Sequence, residues 1–592
     1  MRADGTAATK GAATSCASAA TAMSVAVHNS QTFSPRDTIY ICDNGGTYTQ
    51  GMVLPSSGTA GSPIVYTISG SPVWGTSGNA WFTNAQDWVV INGIQISAST
   101  GFAIYLNGSD HCTLSNINAT SGTGILLENC VSPTLSQVAT SATSQDALQV
   151  SGSNASLTNV SIGSAYRYGL WLNGVTGTAA VTSGTISNTQ FEGIRVDPAT
   201  NGATILKGIT LSNVGLNGGA SSAGVYFNGA SVTGVDLYLS GLTITHANGL
   251  GGIYLRNAPF ETHRATITTT WVTGSEFGLR ANNARNVDIT KSYFLSSRSD
   301  GIYVEESSGT SDGFAIDSVV VGNSGRDGIS FANGASNSAV RNSEIFGSGQ
   351  QDAPSNGDGL TIHQGCTGLV FAANRVWGNR SSGFAGVLGT AAELYDNTFE
   401  YNGDASSTYM AVRGGFYHDG LGGTYTLERN SFTGNYPYEM NVAPASVLIN
   451  SAIDYNFYDH VGNGVTEAHF AFLDGNTVMN WAAYHARYEV HSQYVGSSNP
   501  SPAAFAVGIR PNPSAGAAQI EYTLPQSARV KVAIFDIAGR QVAQLVDGLE
   551  TEGRHTATWD GSGDGGRTGA GVYFVRYETP SGNWTKRFVL MR

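Results

Sequence analysis

Lysine is scarce in this chain: only Lys10, Lys207, Lys291, Lys531 and Lys586 occur in 592 residues. Acidic residues outnumber Lys and Arg by 42 to 29, giving a net charge of −13 and no basic tract. A nucleic-acid backbone is therefore excluded as a partner. No apolar run approaches the ~20 residues that cross a bilayer as a helix. Met1-Arg2-Ala3-Asp4 lacks the apolar core of a secretory leader. That fits a cytoplasmic protein, or an exported one read without its leader; the C-terminal residues below favour the second. The five cysteines show no metal-site spacing. Cys16 and Cys42 can close a disulfide over an N-terminal cap, while Cys112, Cys130 and Cys366 read as buried thiols. Charged residues are only 12%, yet 41% are hydrophobic and they alternate regularly, which argues for a folded, turn-rich chain.

Glycine is abundant, at 76 residues, but lacks the every-third period of collagen. It opens a short recurring phrase instead. GLWL at Gly169, GIRV at Gly193, GVYF at Gly224, GIYL at Gly252, GLRA at Gly278, GIYV at Gly301, GISF at Gly328 and GLTI at Gly359 lie 23 to 31 residues apart. Such a period marks a solenoid. It is too short for a four-stranded propeller blade, and the leucine framework of leucine-rich repeats is absent. The expected fold is all-β: a right-handed parallel β-helix followed by a small Ig-like β-sandwich. The expected divisions are residues 1–100 for a cap, with a short helix over Ala19–His28, and the first coils; 101–503 for the β-helix; and 504–592 for the sandwich.

In each phrase alternate residues point inward, so Ile302 and Val304 face the core while Tyr303 and Glu305 face out. The first outward column reads Trp171, Arg195, Tyr226, Tyr254, Arg280, Tyr303, Ser330, Thr361. The next reads Asn173, Asp197, Asn228, Arg256, Asn282, Glu305, Ala332, His363. Flat rings suit sugar faces and arginine forks suit carboxylate or sulfate. A polysaccharide or oligosaccharide track is expected on Trp171, Arg195, Tyr226, Tyr254, Arg256, Arg280 and Tyr303. The same residues can also serve plain cross-strand stacking.

A third column, just before each glycine, brings Asp300, Asp327 and Asp358 onto successive coils, ~4.8 Å apart. Carboxylates that close raise one another's pKa, which makes a general acid. Asp327 and Asp358 are the expected acid/base pair for glycoside hydrolysis, with Asp300 or Glu305 in support and His363 nearby. Two other readings remain open: Asp-Gly turns without chemistry, and a Ca²⁺ site on Asp300, Asp327 and Asp358. No other metal or cofactor is expected. His469, His485 and His491 have no ligand spacing and read as packing residues. A further column, Asn116, Asn159, Lys291, Asn342, Asn374, Asn397 and Asn430, reads as an asparagine ladder at a turn, broken by Lys291.

Four stretches carry resemblances. DTIYICDNGGTY, from Asp37, followed by SSGTAGSPIVY, resembles the opening of secreted right-handed β-helix proteins of the pectate-lyase-like superfamily. NGDGLTIHQG, from Asn356, resembles a segment found in many of them. The aromatic-rich stretch Phe470–Pro500 is similar to the segment that closes their last coil. The resemblance implies a carbohydrate-active protein. It brings in a polysaccharide lyase as the alternative to a hydrolase: a uronate carboxylate is neutralised by Ca²⁺ or a cation and a base removes the C5 proton, with Lys291, Arg280, Tyr303, Tyr254, Arg256 and His363 as candidates. Stacked acids and few lysines favour hydrolysis. A non-catalytic glycan-binding β-helix is the third reading. After the linker SSNPSPAA, the residues Pro511-Asn-Pro, Tyr522-Thr-Leu-Pro, Phe535-Asp-Ile-Ala-Gly-Arg, Trp559-Asp-Gly and Gly571-Val-Tyr-Phe look like the flagellar-hook-capping Ig-like domain of secreted bacterial enzymes. That resemblance implies export, or contact with secretion machinery or a cell surface. Asp560 and Asp564 read as a Gly-rich turn more than as a Ca²⁺ site.

Overall fold

A computed structural model describes residues 1–11, 16–43, 46–120, 122–141, 143–198, 202–218, 222–229, 234–259, 264–307, 310–350, 357–404, 413–459, 470–473, 477–489, 491–495, 507–510, 514, 516–524, 528–537, 539–551, 553–563, 566–579 and 582–590. The chain divides into two compact units, Met1–Tyr458 with Asn463–Gln493, and Asp459–Gly462 with Tyr494–Arg592.

The first unit is a β-solenoid of about 15 turns. Three parallel sheets run its length. The first holds the glycine-phrase strands, from Met52–Val53 through Ile302–Glu305 to Ala471–Leu473. The second runs from Thr38–Cys42 to Ala452–Asp454, and the third from Val73–Thr76 to Gln493–Val495. Every inward position stacks on its equivalent one coil away, so the core is a set of columns. Phe384 lies parallel to Phe416 at 5.2 Å, Phe399 to Phe432 at 5.0 Å, and Phe432 to Tyr458 at 5.2 Å.

The phrase glycine is set by crowding rather than by backbone conformation. A Cβ on Gly301 would run into the Val321 side chain and lie 2.7 Å from the Gly328 carbonyl oxygen. Any larger residue there pushes the first sheet off the third.

The asparagine column separates into two, one residue apart. Asn116, Asn159, Lys291 and Asn342 take left-handed φ values of 48° to 55° at the corner between the second and third sheets. Asn374, Asn397 and Asn430 lie one residue past that corner, which Ala373, Asp396 and Arg429 occupy, and point inward, fully buried. Each inward amide accepts the main-chain N–H and the side-chain NH₂ of the one before: Asn374 on Asn397, Asn397 on Asn430, and Asn430 on Asn456, all at 2.9–3.1 Å. A second run, Asn379, Asn402 and Asn435, does the same. The runs end on buried carboxylates. Asn435 donates to Glu439 at 2.7 Å and Asn456 to Glu489 at 3.3 Å.

Both ends of the solenoid are closed. At the N-terminal end the expected single helix is two pieces, a 3-10 turn at Ala19–Thr21 and an α-helix at Val25–Asn29 whose N-cap is Ser24. Cys16 and Cys42 are disulfide-bonded. Changing both to serine is expected to cost ~2–4 kcal/mol by freeing the unfolded cap; an earlier urea transition, reproduced in the parent protein by reductant, checks this. Cys112, Cys130 and Cys366 are buried thiols. At the other end the helix Trp481–Tyr488 lays Trp481 against Tyr458 and Tyr484 against Phe470. Tyr458 donates to Glu489 at 2.7 Å. His485 packs on Trp481, and His491 bonds Asp454 at 2.6 Å; His469 lies outside the described residues.

The second unit is a β-sandwich. Val507–Arg510, Ala518–Leu524 and Gly553–Trp559 form one antiparallel sheet. Gln541–Glu550, Ala528–Asp536, Gly571–Thr579 and Gly582–Leu590 form the other. Ile520, Val532, Ile534, Trp559, Val575 and Phe588 fill its core. Asp560 caps its own turn by accepting the Ser562 N–H at 2.9 Å; Asp564 and the Pro511-Asn-Pro segment lie outside the described residues.

Candidate functional site

The outward face of the first sheet carries the candidate residues. Trp171, Arg195, Tyr226, Tyr254, Arg280, Tyr303, Ser330 and Thr361 are direct partners on consecutive strands. Asn173 pairs with Asp197, and Asn228, Arg256, Asn282, Glu305 and Ala332 follow one another in the neighbouring column. The structure therefore brings the track residues into one row. Lys291 does not join them. It sits exposed at the corner of the second and third sheets, which takes it out of the Lys291–Arg280–Tyr303 set expected for elimination.

The row is less open than alternation alone implies. Tyr226 and Tyr254 pack edge to face at 5.4 Å and are only 2% and 5% exposed, whereas Trp171 and Tyr303 are half-buried and Arg256 is exposed. Two guanidiniums are already engaged. Arg195 forks onto Asp197 and lies over Tyr168 and Tyr226. Arg280 forks onto Glu305 and lies over Tyr254 and Phe277. Asp197 also accepts the Trp171 indole N–H at 2.8 Å and the Asn228 amide at 3.2 Å. The expected arginine forks for polymer anions are thus taken at Arg195 and Arg280 by acids of the adjacent column. Rings locked by such partners present rigid, amphipathic edges at small entropic cost to a ligand.

The acid column is in register as well. The main-chain N–H groups of Gly301 and Gly328 donate to the carbonyls of Asp327 and Asp358 at 3.0 and 2.9 Å, which puts the three aspartates on successive rungs. All three are buried. Their side chains hold the coils together: Asp300 Oδ1 accepts the Asp327 N–H at 2.9 Å, and Asp327 Oδ1 accepts those of Gly357 and Asp358 at 2.8 and 3.0 Å. Asp358 is held by Ser382 Oγ at 2.5 Å and Arg413 Nη1 at 3.1 Å. Burial, then the neighbouring Asp327 charge, pushes Asp300 up to about 7. Burial also raises Asp358, against the pull of Arg413. His363 is half-buried beside Asp358, and burial lowers its imidazole below the usual range. Among the described residues no three acidic, His or Cys side chains converge as a metal site would need.

Several participants were given no role by the sequence reading, although Tyr168 and Ser382 stand in the same column as the three aspartates. Arg413 and Ser382 hold Asp358; Tyr417 lies under Arg413 at 4.4 Å; Tyr168 lies under Arg195 at 5.1 Å. A signal was present. Arg326 and Arg413 both stand two residues ahead of a coil glycine, in RDG and RGG.

Residues 277–456 match the family model of the right handed beta helix region, and residues 510–582 that of the FlgD Ig-like domain. The chain is a right-handed parallel β-helix followed by a FlgD Ig-like domain. Among solved structures this β-helix protein is similar to a mutant of the periplasmic alginate epimerase AlgG, at 12% identity over 56% of this chain and 78% of that one, TM-score 0.38. It is similar to the A-module of the mannuronan C-5 epimerase AlgE4 of Azotobacter vinelandii, at 9% identity over 66% and 90%, TM-score 0.27. It is also similar to the Dettilon tailspike protein, at 11% identity over 68% and 83%, TM-score 0.28. No curated protein matches the chain. No helix among the described residues is long and apolar enough to cross a membrane.

Proposed function

We propose that this is an exported carbohydrate-active protein that binds a polysaccharide along the first-sheet face from Trp171 to Tyr303. The observation that carries the reading is the in-register row of rings with guanidiniums clamped between them. Six rungs, five steps of ~4.8 Å, make it ~24 Å long, a shape that suits a chain rather than a single small molecule. Export is supported by the Cys16–Cys42 disulfide, a bond of oxidising compartments, and by the appended FlgD Ig-like domain, through which contact with secretion machinery or a cell surface is proposed.

The test is affinity electrophoresis against neutral, uronic and sulfated polysaccharides. Trp171→Ala and Tyr303→Ala are each expected to weaken binding ~10-fold, the ~1.4 kcal/mol of one stacked ring. Equal binding by parent and variants would remove the track.

Cleavage by hydrolysis is the second reading, favoured by Asp300 held at about 7 next to Asp327, with Asp358 and His363 beyond. Reducing ends should then appear without unsaturated ends and be indifferent to chelator, and Asp327→Asn or Asp358→Asn should stop their release. Full activity in both variants would leave the acid column a coil-to-coil brace. Unsaturated ends that vanish with chelator would instead point to Ca²⁺-assisted elimination.

A further inference from the structure

Three arginines face outward on the track, and among the described residues only Arg256 meets no carboxylate. Arg195 is neutralised by Asp197, with Glu192 at 3.5 Å, and Arg280 by Glu305. Arg256 is exposed. Its Nη1 donates to the Tyr226 hydroxyl at 3.5 Å, and among the described residues it meets no carboxylate. Its partners on the adjacent strands are Asn228 and Asn282. The Asn282 amide oxygen accepts Ser307 Oγ at 3.2 Å, which leaves its NH₂ as a donor. A guanidinium with a neighbouring amide NH₂ is the complement of an oxyanion.

The column as a whole is symmetric about this residue: Asp197, Asn228, Arg256, Asn282, Glu305. The two acids stand two rungs away on either side, ~10 Å along the axis and within about one Debye length. A ligand anion at Arg256 meets the guanidinium and, on one side, the Asn282 NH₂. A second anion two rungs along meets a carboxylate whose own arginine is already spent.

We propose that Arg256, with Asn282, binds a single carboxylate or sulfate of the polysaccharide, and that Arg195 and Arg280, spent on Asp197 and Glu305, offer no site for a second anion. The ligand class is a sparsely charged glycan, not a polymer with an anion on every sugar. This rests on the track reading.

The experiment measures the affinity of the full chain for one neutral backbone in unsubstituted, sparsely carboxylated and sparsely sulfated forms, and for a homopolyuronate. At least one sparse form should bind ~10-fold tighter than the unsubstituted one, and which arm gains identifies the anion. The homopolyuronate should bind no tighter than the unsubstituted polymer. Arg256→Gln should erase the gain. Persistence of the gain in Arg256→Gln, no gain in either arm, or tightest binding of the homopolyuronate overturns the proposal. If Trp171→Ala weakens binding but Arg256→Gln changes nothing, this proposal alone falls. If Trp171→Ala binds every polymer as the parent does, the track reading falls with it.

Discussion

Asn430→Ala should destabilise the β-helix by roughly 4 kcal/mol, measured as a shift in its urea midpoint. The Asn430 side chain makes four bonds in the interior. Its oxygen takes the main-chain and side-chain N–H of Asn397, both at 3.0 Å; its NH₂ reaches the Leu394 carbonyl at 2.8 Å and Asn456 at 3.1 Å. Truncation strands the Asn397 N–H, one hydrogen of its NH₂ and the Leu394 carbonyl, each at ~1–3 kcal/mol when buried without water. Partial relaxation and water entry recover some of that. Asn430→Asp should cost a similar amount for a different reason: it keeps the acceptor but points a carboxylate at the Asn456 oxygen. A shift of less than about 1 kcal/mol in both variants would mean that the ladder contributes little.

The second large effect is a dependence on pH. Burial, and then the Asp327 charge beside it, push the folded-state Asp300 carboxyl up to about 7 from the 3.8 of a free aspartate. Between those values the folded chain keeps a proton that the unfolded chain has released. Stability from this group is therefore full below pH ~4, falls as pH rises towards 7, and is level above. Asp300→Asn retains the oxygen that accepts the Asp327 N–H and removes the ionisation. The parent should lose about 4 kcal/mol relative to Asp300→Asn between pH 4 and pH 8. Denaturant titrations of both proteins at matched pH measure the difference, so other titrating groups cancel. Parallel stability curves would show that Asp300 does not titrate in this window.

The period of the glycine phrase made the solenoid and the first-sheet columns readable, because a coil of near-constant length leaves each strand only one in-register partner. The row from Trp171 to Tyr303 follows from that alone. Burial did not. Tyr226 and Tyr254 alternate as outward residues, yet their rings cover each other. The pairing of Arg195 with Asp197 and of Arg280 with Glu305 depends on side-chain reach between neighbouring columns, which spacing does not encode. The asparagine ladder was misread by one residue for a related reason. Asn fits both the left-handed corner, as at Asn342, and the buried position after it, as at Asn374, and composition cannot separate the two. Lys291 does stand at the left-handed corner its column implied, which is why it is far from the row of rings.

The buried amide runs have a direction. Each asparagine passes its hydrogens forward, so the last member must face a group that takes hydrogens and returns none, and Glu439 and Glu489 are such groups. A coil duplicated ahead of Asn374 would extend the series without loss, whereas one added behind either glutamate would open on an acceptor facing an acceptor. Growth of this protein by repeat duplication is thus open on one side and stopped on the other.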